Sequence, residues 1–175
     1  MDTIETRKKN EQELKFDTIY SYYFEKFMNK FYSRLDKLIL FILMVLAIIT
    51  ITGTSNIVII GSVSAILIFV LIVSQAGARA QATKTIYQEY LKLYQNFDNV
   101  DIDTIKRRFR AIQEKDNEEI NCLAYPAYAA AAQLLGYDDL PRELSPLEKL
   151  YVLFIGETIE YEFKKEPNPV IQAKQ

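Results

Sequence analysis

Residues 38–78 read LILFILMVLAIITITGTSNIVIIGSVSAILIFVLIVSQAGA and decide the fold, because these 41 residues contain no Asp, Glu, Lys or Arg. Four residues that favour a turn, GTSN at 53–56, divide the stretch into two halves. A bilayer hydrocarbon core of about 30 Å needs about 20 apolar helical residues per crossing. Residues 56–78 meet this length. The first half reaches it only together with part of residues 32–37, whose long side chains reach the headgroups. We predict a transmembrane hairpin with spans at 35–52 and 56–78; the alternative is a buried helical hairpin in a soluble core.

Basic residues flank both ends of this stretch, whereas the turn at its centre carries no charge. The positive-inside rule therefore predicts that both termini are cytoplasmic and that the turn lies on the other side of the membrane. We expect the first span, which is short, to be the arm that shifts. The basic residues predicted to form a collar at the membrane interface are Lys30, Arg34, Lys37 and Arg79.

Apolar periodicity predicts that each span continues as a long cytoplasmic helix. Residues 1–13 are polar and are predicted to be a frayed tail, with the first helix starting near Leu14. The second span is predicted to continue to about Phe97, so that residues 14–97 form one helical unit. We expect the two helices to pack antiparallel through two stripes, namely Phe16, Tyr20, Tyr23, Phe27 and Phe31 against Ala82, Ile86, Tyr90, Leu93 and Phe97.

Residues 98–165 are predicted to be a smaller helical region, followed by a tail at 166–175. Asp103 is a candidate N-cap, Pro126 is predicted to break or kink a helix, and Gly136 suits a helix C-terminus. The sequence SPLE at 145–148 is a capping box with proline at the first helical position. The buried face predicted for the last helix comprises Leu147, Leu150, Tyr151, Phe154, Ile155, Ile159 and Phe163.

These patterns together define the predicted fold class. The chain is an all-α membrane protein: a two-helix transmembrane hairpin whose spans continue as long cytoplasmic helices, plus a small helical C-terminal region. No alternation typical of β-strands stands out along the sequence.

The composition excludes several classes of chemistry. The chain has no histidine and a single cysteine, Cys122, so schemes based on a His triad and Cys/His zinc sites within one chain are excluded. We therefore predict no enzyme activity, no cofactor and no metal, and a net charge of −2 predicts no nucleic-acid partner. The acidic residues weighed as cation ligands, and interpreted as solvated, are Glu118, Glu119, Asp138 and Asp139.

Two groups of residues are candidate sites. Four cations within five positions could hold a nucleotide phosphate or anionic lipid headgroups, although on a helix they spread around the circumference and also fit a solvated face; they are Lys106, Arg107, Arg108 and Arg110. In the second span, small residues favour close helix–helix contact, within the hairpin or between protomers, and secondarily a weakly polar pore lining. They are Gly61, Ser62, Ser64 and Ala65.

The layout resembles SLATT-domain proteins, the two-transmembrane proteins associated with SMODS and SLOG domains in bacterial defence systems. The resemblance covers about residues 14–120 and is carried by residues 20–38, the apolar stretch, IYQEYLKLYQNF at 86–97 and IKRRFRAIQEKDNEE at 105–119. It implies a membrane effector that a nucleotide second messenger, or another infection signal, causes to oligomerise and permeabilise the membrane.

The function predicted first is a non-enzymatic inner-membrane effector that forms homo-oligomers and perturbs the bilayer in response to a cytoplasmic signal. The alternative is a membrane-anchored binding module, such as a phage-exclusion, immunity or scaffold protein, whose cytoplasmic helices hold a protein partner.

Overall fold

A computed structural model describes the backbone of residues 2–53, 56–116, 120–137 and 142–157, with side chains from residue 7 onward. Across these ranges the chain is helical and contains no strand, as the sequence predicts. The predicted turn residues Thr54 and Ser55, the apolar residues Ile159 and Phe163 and the tail lie outside them. The helices are α1 (Asp2–Thr52), α2 (Ile57–Ser74), α3 (Ala76–Gln95), α4 (Ile102–Gln113), α5 (Asn121–Leu134) and α6 (Pro146–Ile155), with a 3-10 turn at Phe97–Asn99.

Helix α1 starts earlier than the sequence predicts. It begins at Asp2 instead of near Leu14 and runs for 51 residues without a break. The polar residues of its first turns lack apolar periodicity, but they contain no glycine or proline, so nothing stops the helix from extending. At 1.5 Å per residue, α1 is about 77 Å long.

The second long helix is interrupted, whereas the sequence predicted continuity to Phe97. Gln75, between α2 and α3, has φ +46° and ψ +36°, the left-handed conformation. Its N–H still donates to the Leu71 carbonyl and its own carbonyl accepts from the Arg79 N–H. The break is therefore a change of direction of the backbone between two helices that remain adjacent.

Helices α1 and α3 pack antiparallel, in agreement with the sequence prediction. Lys15 pairs with Asp98 near one end, and the Tyr32 hydroxyl accepts from Arg79 at the other. The buried residues of α3 are Ala76, Thr83, Ile86, Tyr90 and Leu93. Ala82, predicted to be in this face, is exposed and its neighbour Thr83 is buried.

Much of the aromatic stripe of α1 is covered by α5 and α6, not by α3 as predicted. Phe16 packs edge-on against Tyr128 at 5.2 Å between ring centroids. The ring centroid of Phe31 lies 5.5 Å from those of both Tyr151 and Phe154. These rings thus belong to the core of a helical bundle.

Four local expectations for the C-terminal region have different outcomes. Gly136 follows α5 with φ +73° and Ser145 forms the capping box with Glu148, so both predicted ends are confirmed. Asp101 caps α4 by accepting from the Asp103 N–H at 3.1 Å, so the predicted cap at Asp103 is wrong. Pro126 lies inside α5 and does not end it, because it is only in the second turn and removes a single backbone hydrogen bond.

Candidate functional site

The apolar stretch is exposed along both helices that contain it. The segments Arg7–Thr52 and Ile57–Gln95 are long and apolar enough to cross a membrane, and their most apolar windows, of mean hydropathy 2.4 and 3.0, are only 6% buried. Within the residues that the structure describes, the apolar stretch is therefore not a hairpin buried in the chain's own core. Contiguous apolar surface beyond a few hundred Å² marks a membrane or partner interface.

Helix α2 packs on α1 through one face only. The buried or half-buried positions of α2 recur every three or four residues, as expected for a single helical face. They are Ile60, Ser64, Leu67, Leu71 and Ser74. The remaining circumference of α2 is open, with Ile57, Val58 and Phe69 all more than 60% exposed.

Most of the small residues lie on the open part of α2. Gly61, Ser62 and Ala65 are exposed, and a Cβ at Gly61 would meet nothing within 4 Å. Ser64 is half-buried, and the Ser62 hydroxyl donates to the Val58 carbonyl of its own helix. The structure therefore does not place Gly61 and Ala65 in a contact within the chain, and they remain available to another helix.

Two of the predicted collar residues bind the end of α6. Lys30 and Lys26 both pair with Glu157, the latter at 3.4 Å. Arg34 donates from Nη1 to the Phe154 carbonyl at 2.7 Å. Burial acts to raise the pKa of Glu157, but the hydrogen bond from Lys30 and the charge of Lys26 outweigh it, so that pKa is lower than usual.

The other two collar residues differ from each other. Arg79 is half-buried, donates to the Tyr32 hydroxyl at 3.2 Å and has its guanidinium 5.7 Å from the centre of that ring. Lys37 is exposed, one residue before the apolar stretch. The predicted collar thus joins α1 to α3 and α6, and its contact with lipid remains a prediction.

The basic residues of α4 do not converge on one site. Arg108 lines a groove of about 460 Å³ between α3 and α4, together with Lys92, Glu89 and Lys115. The other three, Lys106, Arg107 and Arg110, line a separate open surface that also contains Asp103 and Glu114. Acidic residues in both places reduce the attraction for an anion, so phosphate or lipid binding here stays a prediction.

A buried polar network joins α1, α3 and the end of α4, and sequence reasoning missed it. The Tyr90 hydroxyl lies 2.8 and 3.0 Å from the two Asp116 carboxylate oxygens, so it donates to that carboxylate. Burial, reinforced by Asp116, raises the pKa of Tyr90 above its usual range. Ser21 also hydrogen-bonds to Tyr90, and the 99% buried Glu25 lies near it. In the sequence, the one signal for this network is the hydroxyl of Tyr90 within the otherwise apolar stripe of α3.

The side of this network that opens to solvent is acidic. A cavity of about 290 Å³ is lined by Asp17, Glu25 and Asp116, with Ser21 and Gln113. Burial and the charge of Glu13 raise the pKa of Asp17. Across the described residues, no group of three or more His, Cys, Asp or Glu side chains is arranged to hold a metal. Glu118, Glu119, Asp138 and Asp139 lie outside those residues.

The start of α6 is fixed by a second charged contact. Arg142 donates to both carboxylate oxygens of Glu148, at 2.8 and 2.7 Å, and its guanidinium lies 3.8 Å from the centre of the Tyr125 ring. The hydrogen bonds from Arg142, followed by those from Ser145, lower the pKa of Glu148 to about 2 despite its burial. The sequence predicted the Ser145–Glu148 cap but not the role of Arg142.

Helix α6 buries part of the face predicted for it, since Ile155 is buried and Tyr151 and Phe154 are half-buried against the bundle. Val152, Ile155 and Glu148 are buried, whereas Leu147 and Leu150, predicted to be buried, are exposed. The helix is apolar around most of its circumference, so its sequence pattern does not select a face.

No protein-family model, curated protein or solved structure matches this chain. Its geometry defines the class of protein. Over the described residues the chain is all-helical, with two exposed apolar helices joined to a packed helical bundle. The SLATT resemblance stays a proposal based on layout.

Proposed function

We propose that this protein is a two-span protein of the bacterial inner membrane, whose hairpin carries a cytoplasmic helical bundle. The observation that carries the proposal is the exposed surface of residues 38–74, where large aliphatic side chains face outward. Exposing such surface to water costs about 25 cal/mol per Å². Helix α2 alone, with 18 residues, spans about 27 Å, close to the thickness of the hydrocarbon core.

We propose further that several copies associate through the open Gly61 and Ala65 face and permeabilise the membrane when a cytoplasmic signal arrives. Small residues allow helices to approach closely in a bilayer, and none of the helices that the structure describes occupies this face. One pair of helices cannot enclose a channel, so a pore needs several copies. The SLATT-like layout supports the effector role and a nucleotide or protein signal.

A membrane-anchored binding module is the second candidate. It is favoured by the outward surface of α2, which is dominated by bulky aliphatic residues and offers little polar surface for water. In this case the hairpin is only an anchor, and the bundle of α1 with α3 to α6 binds a cytoplasmic protein.

The experiment that separates these candidates measures dye release from liposomes containing the purified protein, and growth of cells that express it. Gly61→Leu and Ala65→Leu should abolish release and disulfide-independent crosslinking into oligomers, because they fill the open face without a clash inside the chain. Val70→Leu, an exposed position on the opposite side of the same helix, is the matched control and should retain both. Dye release that never exceeds that of empty liposomes, or that persists in both variants, would contradict the pore and favour the membrane-anchored binding module.

Orientation is tested separately with a Cys122→Ser background. A cysteine introduced by Ser55→Cys should react with a membrane-impermeant maleimide in intact spheroplasts, and one introduced by Gln175→Cys should react only after lysis. The reverse pattern would overturn the predicted orientation.

A further inference from the structure

Helix α6 presents an apolar face that no described residue covers. Leu147, Leu150 and Leu153 are 53%, 60% and 74% exposed. Their spacing of three residues places them along one side of the helix, opposite the side that Val152 and Ile155 bury in the bundle. An amphipathic helix ordinarily exposes polar residues, so three aligned leucines are an unpartnered surface.

The position of α6 indicates what covers this surface. Its last turn is held against α1 by the Arg34 hydrogen bond to the Phe154 carbonyl and by the pairs of Glu157 with Lys26 and Lys30. The exposed apolar stretch begins at Leu38, four residues after Arg34, which is about 6 Å along the helix axis. Leu153, the residue next to Phe154, therefore lies within about two helical turns of the first span.

We propose that the Leu147–Leu150–Leu153 face of α6 rests in the headgroup region of the lipid bilayer, as an interfacial helix beside the two spans. The proposal rests on the membrane insertion proposed above. Interfacial helices bury their apolar face about 5–10 Å into the boundary between headgroups and acyl chains. Leu147 and Leu153 lie six residues, or about 9 Å, apart along α6.

Two further observations favour lipid over a second copy of the chain. Stable protein interfaces bury about 800 Å² per partner, more than three leucines of one ten-residue helix supply. Lys149, exposed among the leucines in sequence, lies 3.8 Å from the Glu143 carboxylate in the part of the chain that the structure describes. Its long side chain can reach the headgroups while its stem lies along the apolar surface.

The absence of tryptophan from the sequence provides the test. Leu153→Trp and Leu147→Trp each introduce a single fluorophore into the full-length protein, reconstituted in phosphatidylcholine–phosphatidylglycerol liposomes. Leu134→Trp is the matched control, because Leu134 is a 51% exposed leucine on α5, at the end of the bundle where Phe16 packs. Ile66→Trp, on the open surface of α2, reports insertion of the span itself.

We expect the fluorescence of Leu153→Trp to be blue-shifted relative to Leu134→Trp and several-fold less sensitive to iodide. Lipids brominated near the headgroup should quench both Leu153→Trp and Leu147→Trp strongly and Leu134→Trp hardly at all. If Leu153→Trp is as accessible to iodide as Leu134→Trp, the surface faces water and the inference is overturned. If it is shielded from iodide but bromine does not quench it, protein covers the surface, from a second copy or from this chain, and the inference is equally overturned.

The Ile66→Trp variant separates this inference from the proposed function. Quenching of Ile66→Trp by lipids brominated near the acyl-chain ends, without quenching of Leu153→Trp, would leave the spans inserted and α6 off the membrane. Absence of quenching in Ile66→Trp would overturn the membrane insertion itself.

Discussion

Arg34 of α1 donates a hydrogen bond to the carbonyl oxygen of Phe154, near the end of α6, over 2.7 Å. The last carbonyls of a helix lack donors within the helix, and a cation there also complements the helix dipole. This contact therefore stabilises the end of α6 and fixes it to α1 just before the exposed apolar stretch.

Gly156 should be sensitive to substitution because it sits under this contact. It has φ +63°, and a Cβ there would overlap the Arg34 guanidinium. Gly156→Ala should destabilise the protein by about 1–2 kcal/mol from the left-handed conformation alone, and further by displacing Arg34. Thermal unfolding in detergent measures the change. Gly136→Ala is the control, since its φ is +73° and its Cβ would meet nothing within 4 Å. Equal effects of the two substitutions would contradict a structural role for the Arg34 contact.

Glu148 should make the stability of the folded protein depend on pH in the acid range. Its pKa is lowered from 4.5 to about 2, chiefly by Arg142, so the ionised form is favoured in the folded protein. The stabilisation is complete above pH 4.5 and is lost as the pH falls from there towards about 2. Glu148→Gln should cost about 1–3 kcal/mol at pH 7. The difference in melting temperature between wild type and variant should shrink between pH 5 and pH 2.5, and a constant difference would contradict this account.

Tyr90→Phe should destabilise the bundle by about 1–2 kcal/mol, because it removes a buried hydrogen bond to a carboxylate and retains the ring. Tyr90 is fully buried, and its ring lies 5.7 Å from that of Phe109. Chemical denaturation followed by circular dichroism provides the measurement. Tyr87→Phe, at a half-buried position of the same helix, should have little effect. Comparable losses in both variants would show that the Asp116 contact contributes little.

Gln75→Gly should stabilise the protein by about 1 kcal/mol, since glycine adopts the left-handed conformation without the penalty of a side chain. Gln81→Gly, at an exposed position inside α3, should destabilise it by about 0.5–1 kcal/mol. A higher melting temperature for Gln75→Gly and a lower one for Gln81→Gly, each relative to the wild type, would establish the break at Gln75. Destabilisation by both substitutions would instead indicate that α2 and α3 form one continuous helix.

The features predicted correctly from sequence are those set by neighbouring residues. The Ser145 capping box needs only Pro146 and Glu148, and the end of α5 needs only the left-handed Gly136. The exposed apolar stretch follows from forty-one consecutive uncharged residues. The cap of α4 was misplaced by two residues because Asp101 and Asp103 carry the same chemistry.

The features missed depend on residues far apart in the chain. The ion pair of Lys30 with Glu157 joins positions separated by 127 residues, and nothing local in either segment predicts it. The stripe of α1 indicated that its rings are buried, but not that Tyr128, Tyr151 and Phe154 cover them. Helix α6 has apolar residues on several faces, so only the packed structure selects the one in the core.

The left-handed residue at Gln75 gives the two connections between bundle and apolar region unequal stiffness. Helix α1 is an unbroken rod, so rotation of the bundle about its axis carries directly through to Thr52. The other connection is interrupted at Gln75, where the backbone is left-handed between α2 and α3. The sequence predicted that the first span would be the arm that shifts. That stays a prediction; among the described residues the backbone shows a break in the second arm, at Gln75, and an uninterrupted helix in the first.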